Sequence, residues 1–322
     1  MMKIIYVSLR VHLVMIIVAG MVSGCATRSR YDAFFQEEQY KDSLAVNNES
    51  ASQMNAIEVS ETAVEQSAEG YEKLGDQHMR QGNIYLAFMQ YNNAIKKDPQ
   101  HLTSVYKVGL LFLEKGLIDS ALQYFDYILK NEPKNHLAYL GKGRAYFANS
   151  QFSEAQKSLE RALHFNASLW KAHALLGMIY DKHKNFSLAI DEYKKAIAIK
   201  PDSGTLYTNL GISYYLQGNY RKSLQALTKA TTIEPVHSKT YNNLGLVLNK
   251  LGKYEEALEA FILAGDEAAA YNNMGYLFFE NAQYEEAVQA FEKAIEIKPT
   301  FYIKASDNLK RAKRCLKHID NK

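Results

Sequence analysis

The sequence predicts an all-α chain: a right-handed solenoid of about seven helix-turn-helix repeats, closed by a C-terminal capping helix. Three observations predict it. Glycines at Gly75, Gly109, Gly143, Gly177, Gly211 and Gly245 stand 34 residues apart, and Gly275 follows four residues early. A small residue recurs at a fixed distance behind each glycine, as Ala87, Ala121, Ala155, Ala189, Ser223, Ala257 and Ala287. The openings Leu-Tyr-Thr-Asn-Leu-Gly (206–211), Thr-Tyr-Asn-Asn-Leu-Gly (240–245) and Ala-Tyr-Asn-Asn-Met-Gly (270–275) repeat one another.

A pair of short antiparallel helices cannot bury its apolar faces alone and must stack on its neighbours. Small residues set how closely such helices approach. In the fourth repeat, Gly177 and Ala189 are small where two helices cross, Ala196 where the next pair docks, and Tyr180 and Tyr193 fill the space between. Pro201 then stops the second helix, because proline lacks an N–H and clashes with the preceding turn. Pro99, Pro133, Pro235 and Pro299 hold the same place, Ala167 replaces proline in the third repeat, and the sixth has none. Period and residue pattern together resemble the tetratricopeptide repeat over residues 68–301.

The chain has 322 residues, 47% hydrophobic and 23% charged, the composition of an ordinary helical protein. In residues 1–24, Lys3 and Arg10 precede an apolar run over 11–22, broken by His12 and Gly20, and then Ser23 and Gly24. That is the pattern of a secretory signal. The run is shorter than the roughly 20 residues a spanning helix needs. Val22-Ser23-Gly24-Cys25 resembles the bacterial lipobox, with Val where Leu is commoner, and the resemblance implies that Cys25 becomes the acylated first residue of the mature chain. Ala26 behind it is consistent with outer-membrane sorting. A plain cleaved signal or an uncleaved anchor is the alternative. With Lys3 and Arg10 removed, the formal charge of +3 falls to about +1, so no basic field favours nucleic acid.

Residues 25–67 are read as the lipidated cysteine and a polar tether, rich in Ser, Asn, Gln and Glu and without Gly or Pro. The repeats then run 68–101, 102–135, 136–169, 170–203, 204–237, 238–267 and 268–301. In the short sixth repeat, Gly265 is expected to stop one helix and Asp266 to cap the next. Residues 302–322 form the capping helix, with Ile303, Leu309, Ala312 and Leu316 on one side and a basic remainder suited to solvent, anionic lipid or an acidic partner.

No phosphate loop, His-Glu-x-x-His or Gly-x-Ser-x-Gly elbow occurs, and the nine histidines fall singly, without metal-ligand spacing. The reading is therefore a non-enzymatic binding protein without cofactor or metal. Its candidate groove lies along the first helices. Asn209, Asn243 and Asn273 hold the sixth position of the last three repeats, and an amide, both donor and acceptor, suits a peptide backbone. Equivalent asparagines in tetratricopeptide families bind extended peptides. Tyr215, Asn249, Tyr276 and Phe279 are expected to supply pockets. In the earlier repeats the sixth position holds Lys73, Lys107, Gly141 and Leu175, which confines the asparagine ladder to the C-terminal half.

The run over 264–311, with Ala-Gly-Asp-Glu-Ala-Ala-Ala-Tyr-Asn-Asn-Met-Gly-Tyr and later Pro-Thr-Phe-Tyr-Ile-Lys-Ala-Ser-Asp-Asn-Leu, resembles the tetratricopeptide lipoproteins of tight-adherence (Flp) pilus assembly. The resemblance implies a lipid-anchored, periplasm-facing scaffold at the outer membrane, with secretin or pilus components as partners. A scaffold for an envelope polysaccharide or peptidoglycan enzyme complex is the alternative. If Cys25 carries lipid, Cys25→Ser abolishes incorporation of labelled palmitate and detergent partitioning; unchanged label in the variant contradicts the lipobox reading.

Overall fold

The computed structural model describes residues 66–299 and 302–320, so the signal, lipobox and tether readings fall outside the described residues. Fifteen helices are present among the described residues, and no strand. They are α1 (Ala68–Arg80), α2 (Ile84–Lys97), α3 (Leu102–Glu114), α4 (Ile118–Asn131), α5 (His136–Ala148), α6 (Phe152–Phe165), α7 (Trp170–Lys182) and α8 (Phe186–Ile199), followed by α9 (Gly204–Leu216), α10 (Tyr220–Ile233), α11 (Ser238–Lys250), α12 (Tyr254–Ala264), α13 (Glu267–Glu280), α14 (Tyr284–Ile297) and α15 (Tyr302–Asp320). The first fourteen form seven pairs, and α15 packs on the last of them. Within each pair the helices pack on one another, and each second helix packs on the first helix of the next pair. The first six repeats open where the period places them, at residues 68, 102, 136, 170, 204 and 238.

The recurrent glycines explain the tightness of each pair. A Cβ built at Gly75, Gly109, Gly143, Gly177, Gly211, Gly245 or Gly275 would lie within 2.7 Å of Tyr91, Phe125, Leu159, Tyr193, Leu227, Phe261 or Phe291 respectively, in the partner helix. Those seven side chains are the buried centres of their repeats. Phe125 does this twice, because it also fills the space over Gly141 in the next repeat at 2.6 Å. The small residues Ala87, Ala121, Ala155, Ala189, Ala257 and Ala287 are fully buried. Ser223 takes the same place at no steric cost, since its Oγ donates to the Gly211 carbonyl at 2.7 Å and leaves no buried hydroxyl unpaired.

The turn inside each repeat has a second backbone requirement. The middle of its three connecting residues has positive φ in every repeat: Gly82, Gly116, Gly218 and Gly252 at φ 76 to 84, and Ser150, Lys184 and Ala282 at φ 59 to 60. Only the glycines adopt this conformation without strain. Between repeats, by contrast, proline is not what ends the second helix. α6 stops at Phe165 ahead of Ala167 at the same register as α8 ahead of Pro201, with Asn166 and Lys200 both out of helical conformation.

The shortened sixth repeat loses residues from its helix as well as its linker: α12 has 11 residues where α10 and α14 have 14. Gly265 ends it, and the Asp266 side chain accepts from the Ala269 N–H, capping α13. Asp266 also meets Lys298 at 3.3 Å, closing the junction. On α15, Ala305, Ser306 and Ala312 are buried and Leu309 joins the Phe291 cluster, so this helix covers the last repeat. The side chain of Ile303 lies outside the described residues.

Gly177→Leu forces a side chain into the Tyr193 ring and lowers stability by about 1 to 3 kcal/mol. Thermal melting of the protein reads this as a lower midpoint, and an unshifted midpoint refutes the close approach.

Candidate functional site

The first helices of successive repeats, α1 to α13 in odd numbers, present their sixth, ninth, twelfth and thirteenth positions on one inner face. In the N-terminal half this face lines a hollow of about 560 Å³. Its wall is apolar, formed by Met79, Leu110, Leu113, Phe147 and Leu175, with Lys107, Glu114 and Arg144 among its polar members. Met79, Leu113 and Phe147 are the twelfth residues of the first three repeats.

Charge at the upper end of this hollow is mostly paired internally. Lys107 Nζ lies 2.5 Å from Glu72 and 2.6 Å from Asp76, and sits over the Tyr91 ring at 5.5 Å. The Tyr91 hydroxyl donates to Asp76 at 2.8 Å. Burial pushes the Asp76 carboxyl up, but the bonds from Lys107 and Tyr91 and the Lys107 charge outweigh it and hold the group below its usual range. Burial, then the Asp76 carboxylate, pushes the Tyr91 phenol well up, so it stays a donor. Burial raises the phenol of half-buried Tyr106, and the nearby Arg144 guanidinium opposes the shift.

The C-terminal candidates divide into three environments. Asn209, Asn243 and Asn273 are half-buried on the inner face, one to a repeat. Asn243 Nδ2 donates to its own helix at the Lys239 carbonyl, 2.8 Å away, whereas the backbone carbonyl of Asn209 accepts from Ser213 Oγ at 3.1 Å. Tyr215 packs on Tyr220 with ring centroids 5.6 Å apart, at the turn of the fifth repeat. Beside it a shallow hollow of about 470 Å³ is lined by Gln217, Gly218, Asn219, Tyr220, Arg221 and Leu251.

Tyr276 and Phe279 belong instead to the seam between the last repeat and α15. Both pack on the cluster of Phe291 and Ala312, the Arg311 guanidinium lies 5.3 Å over the Phe279 ring, and Tyr284 meets that ring edge-on at 5.4 Å. Burial raises the Tyr276 phenol, with the Glu280 carboxylate adding to it and Arg311 opposing. The capping helix thus takes part of the surface expected to form an open pocket.

Asn249 departs further from expectation. It is 4% exposed, and neither its Nδ2 nor its Oδ1 has a hydrogen-bond partner. It is an interior amide rather than an open pocket wall. Asp181 holds the same twelfth position two repeats earlier and is satisfied there, by Ser213 Oγ at 2.8 Å and Tyr193 Oη at 3.0 Å. Burial raises the Asp181 carboxyl, and these two hydroxyls only partly offset it. By the repeat, the places of Ser213 and Tyr193 around Asn249 fall to Leu277 and Phe261, which offer no polar atom.

In the sequence, Tyr215, Asn249 and Phe279 mark the twelfth position as groove only in the last three repeats. The same register applied to Met79, Leu113 and Phe147 would have found the N-terminal hollow. Among the described residues no group of His, Cys, Asp and Glu is placed to hold a metal ion, and no helix is long and apolar enough to cross a membrane.

Comparison with known proteins agrees with the architecture. The family model described as the C-terminal domain of cilia and flagella-associated protein 70, a tetratricopeptide model, matches residues 35–273, and the tetratricopeptide repeat model matches 268–301. No match is found among curated proteins. Among solved structures, a tetratricopeptide repeat protein from Parabacteroides merdae is 18% identical with a TM-score of 0.51, covering 76% of this chain and 98% of that one. The Cut9–Hcn1 hetero-tetramer of the APC/C is 20% identical with a TM-score of 0.56, covering 88% of this chain and 54% of that one. At these identities the likeness is one of fold.

Replacing the unpartnered amide by an apolar side chain of similar size, Asn249→Leu, removes a desolvation cost and raises stability by about 1 kcal/mol. Urea unfolding measures it as a higher midpoint at unchanged slope; a lower midpoint shows that the amide is satisfied in solution.

Proposed function

The chain belongs to the tetratricopeptide-repeat family represented by the C-terminal domain of cilia and flagella-associated protein 70, and we propose that it is a scaffold that holds extended segments of partner proteins on its inner face. One observation carries the reading. The inner face combines an apolar hollow at repeats one to four with an asparagine ladder at repeats five to seven. Apolar side chains of a bound segment bury in the first part, while amides in the second exchange hydrogen bonds with its backbone and read no particular side chain. The wall of the hollow is mostly apolar and its Lys107 is opposed by Glu72 and Asp76, which favours an apolar segment over a strongly charged one.

In this reading Cys25 carries a lipid anchor, residues 26–67 tether the repeats to the outer membrane, and the inner face works in the periplasm. The partners are proteins of an envelope machine, pilus or secretion components including its secretin. The lipobox-like residues ending at Cys25 and the resemblance of 264–311 to tight-adherence lipoproteins support this placement. Neither catalysis nor nucleic acid has a part in it, in keeping with the nearly neutral charge.

Changing Asn209, Asn243 and Asn273 together to Ala removes hydrogen bonds worth about 0.5 to 1.5 kcal/mol each and weakens partner binding tenfold or more. Helicity by circular dichroism stays unchanged, because all three face the groove. The partner comes from photo-crosslinking in cells at Leu110 and at Tyr276, with secretin or pilus components as the expected captures. Full affinity in the triple variant, or crosslinks confined to the outer faces of the second helices, contradicts the groove.

A further inference from the structure

The outward face of α2 breaks a rule that the other second helices keep. Tyr85, Leu86 and Met89 are 47%, 37% and 40% exposed. The same three positions are Asp119, Ser120 and Gln123 in α4, Ser153, Glu154 and Lys157 in α6, Arg221, Lys222 and Gln225 in α10, Glu255, Glu256 and Glu259 in α12, and Glu285, Glu286 and Gln289 in α14. In α8 only Leu188 is apolar, between Ser187 and Asp191. The first repeat alone places three large apolar side chains where the rest place polar ones. At 3.6 residues per turn, Tyr85, Leu86, Met89, Lys96 and Lys97 fall within an arc of about 120°. Both lysines are exposed, and α2 contains no acidic residue.

We propose that this face of α2 docks on an anionic lipid surface. The trio exposes a few hundred Å², well under the roughly 800 Å² that each partner gives to a standard protein interface. None of its residues lines either hollow. A bilayer needs neither large area nor shape complementarity: Tyr, Leu and Met enter the headgroup boundary while lysines on the same arc meet phosphate. So small a face holds weakly from free solution and becomes effective when a tether keeps it near the membrane. Forty residues separate Cys25 from Gln66, and the inference rests on the proposed anchor for that effective concentration.

The test uses the full chain, whose single tryptophan is Trp170. Trp170→Phe with Tyr85→Trp leaves one reporter on the face, and Trp170→Phe with Ser120→Trp leaves one at the matching place of the second repeat. Both are reconstituted in phosphatidylglycerol–phosphatidylethanolamine vesicles with brominated acyl chains. The reporter at 85 is quenched and the one at 120 is not. Adding Leu86→Gln and Met89→Gln, or replacing phosphatidylglycerol by phosphatidylcholine, reduces quenching at 85 at least threefold, with helicity unchanged. A reporter at 85 that stays unquenched on anionic vesicles overturns the proposal, as does quenching indifferent to the added substitutions. Shielding of that reporter from acrylamide in vesicle-free solution, without lipid quenching, overturns it in favour of a protein interface. Palmitate labelling of the same samples separates the two claims. Lipid quenching without label retains the face and removes the anchor; label with an unquenched reporter removes the face and retains the anchor.

Discussion

Everything in this structure depends on one steric contact, the approach of a ring or leucine in each second helix to a glycine in the first. At seven positions there is no room for even a methyl group. The contact brings the two helix backbones together and buries a large apolar side chain at the centre of each repeat. It also leaves each repeat with apolar surface that only a neighbour can cover, which makes the stack obligatory. Phe125, closing over Gly109 and Gly141 together, shows one side chain serving both the inside of a repeat and the joint to the next.

Most of the fold was legible because this contact imposes a strict period on residue size. The glycines, the small residues behind them and the buried rings could be read as a register, and helix starts followed from it. Where the backbone can satisfy a requirement in several ways, the period said less. Lys184 and Ser150 adopt the left-handed turn conformation that glycine serves elsewhere, and α6 ends on time without its proline. The four missing residues of the sixth repeat pointed to a lost linker, but α12 itself is shorter, because Gly265 ends it early.

The candidate site was less legible, for a physical reason. Inner-face positions have a register but no fixed chemistry, so position alone does not distinguish a pocket wall from an interior contact. Asn249 and Asp181 share the twelfth position and both turn inward, yet Asp181 meets two hydroxyls and Asn249 none. Tyr276 and Phe279 lie in register with the groove and are claimed by Arg311 and the capping helix. What distinguishes the two halves is how polar groups are matched across neighbouring repeats: Lys107 is neutralised from the preceding repeat, while the asparagines are neutral and carry both donors and an acceptor. A stack of this kind offers long faces rather than a cleft, with each face free to vary once the glycine contacts are kept.

The measurement that reaches the central claim most directly is a double-mutant cycle between Phe125 and Gly141, read by urea unfolding. If the ring over the glycine joins the second repeat to the third, Gly141→Ala is destabilising in the native background and nearly neutral once Phe125→Ala has emptied the space, a coupling of about 1 kcal/mol or more. Strictly additive effects would contradict the account, since they would mean that ring and glycine do not meet.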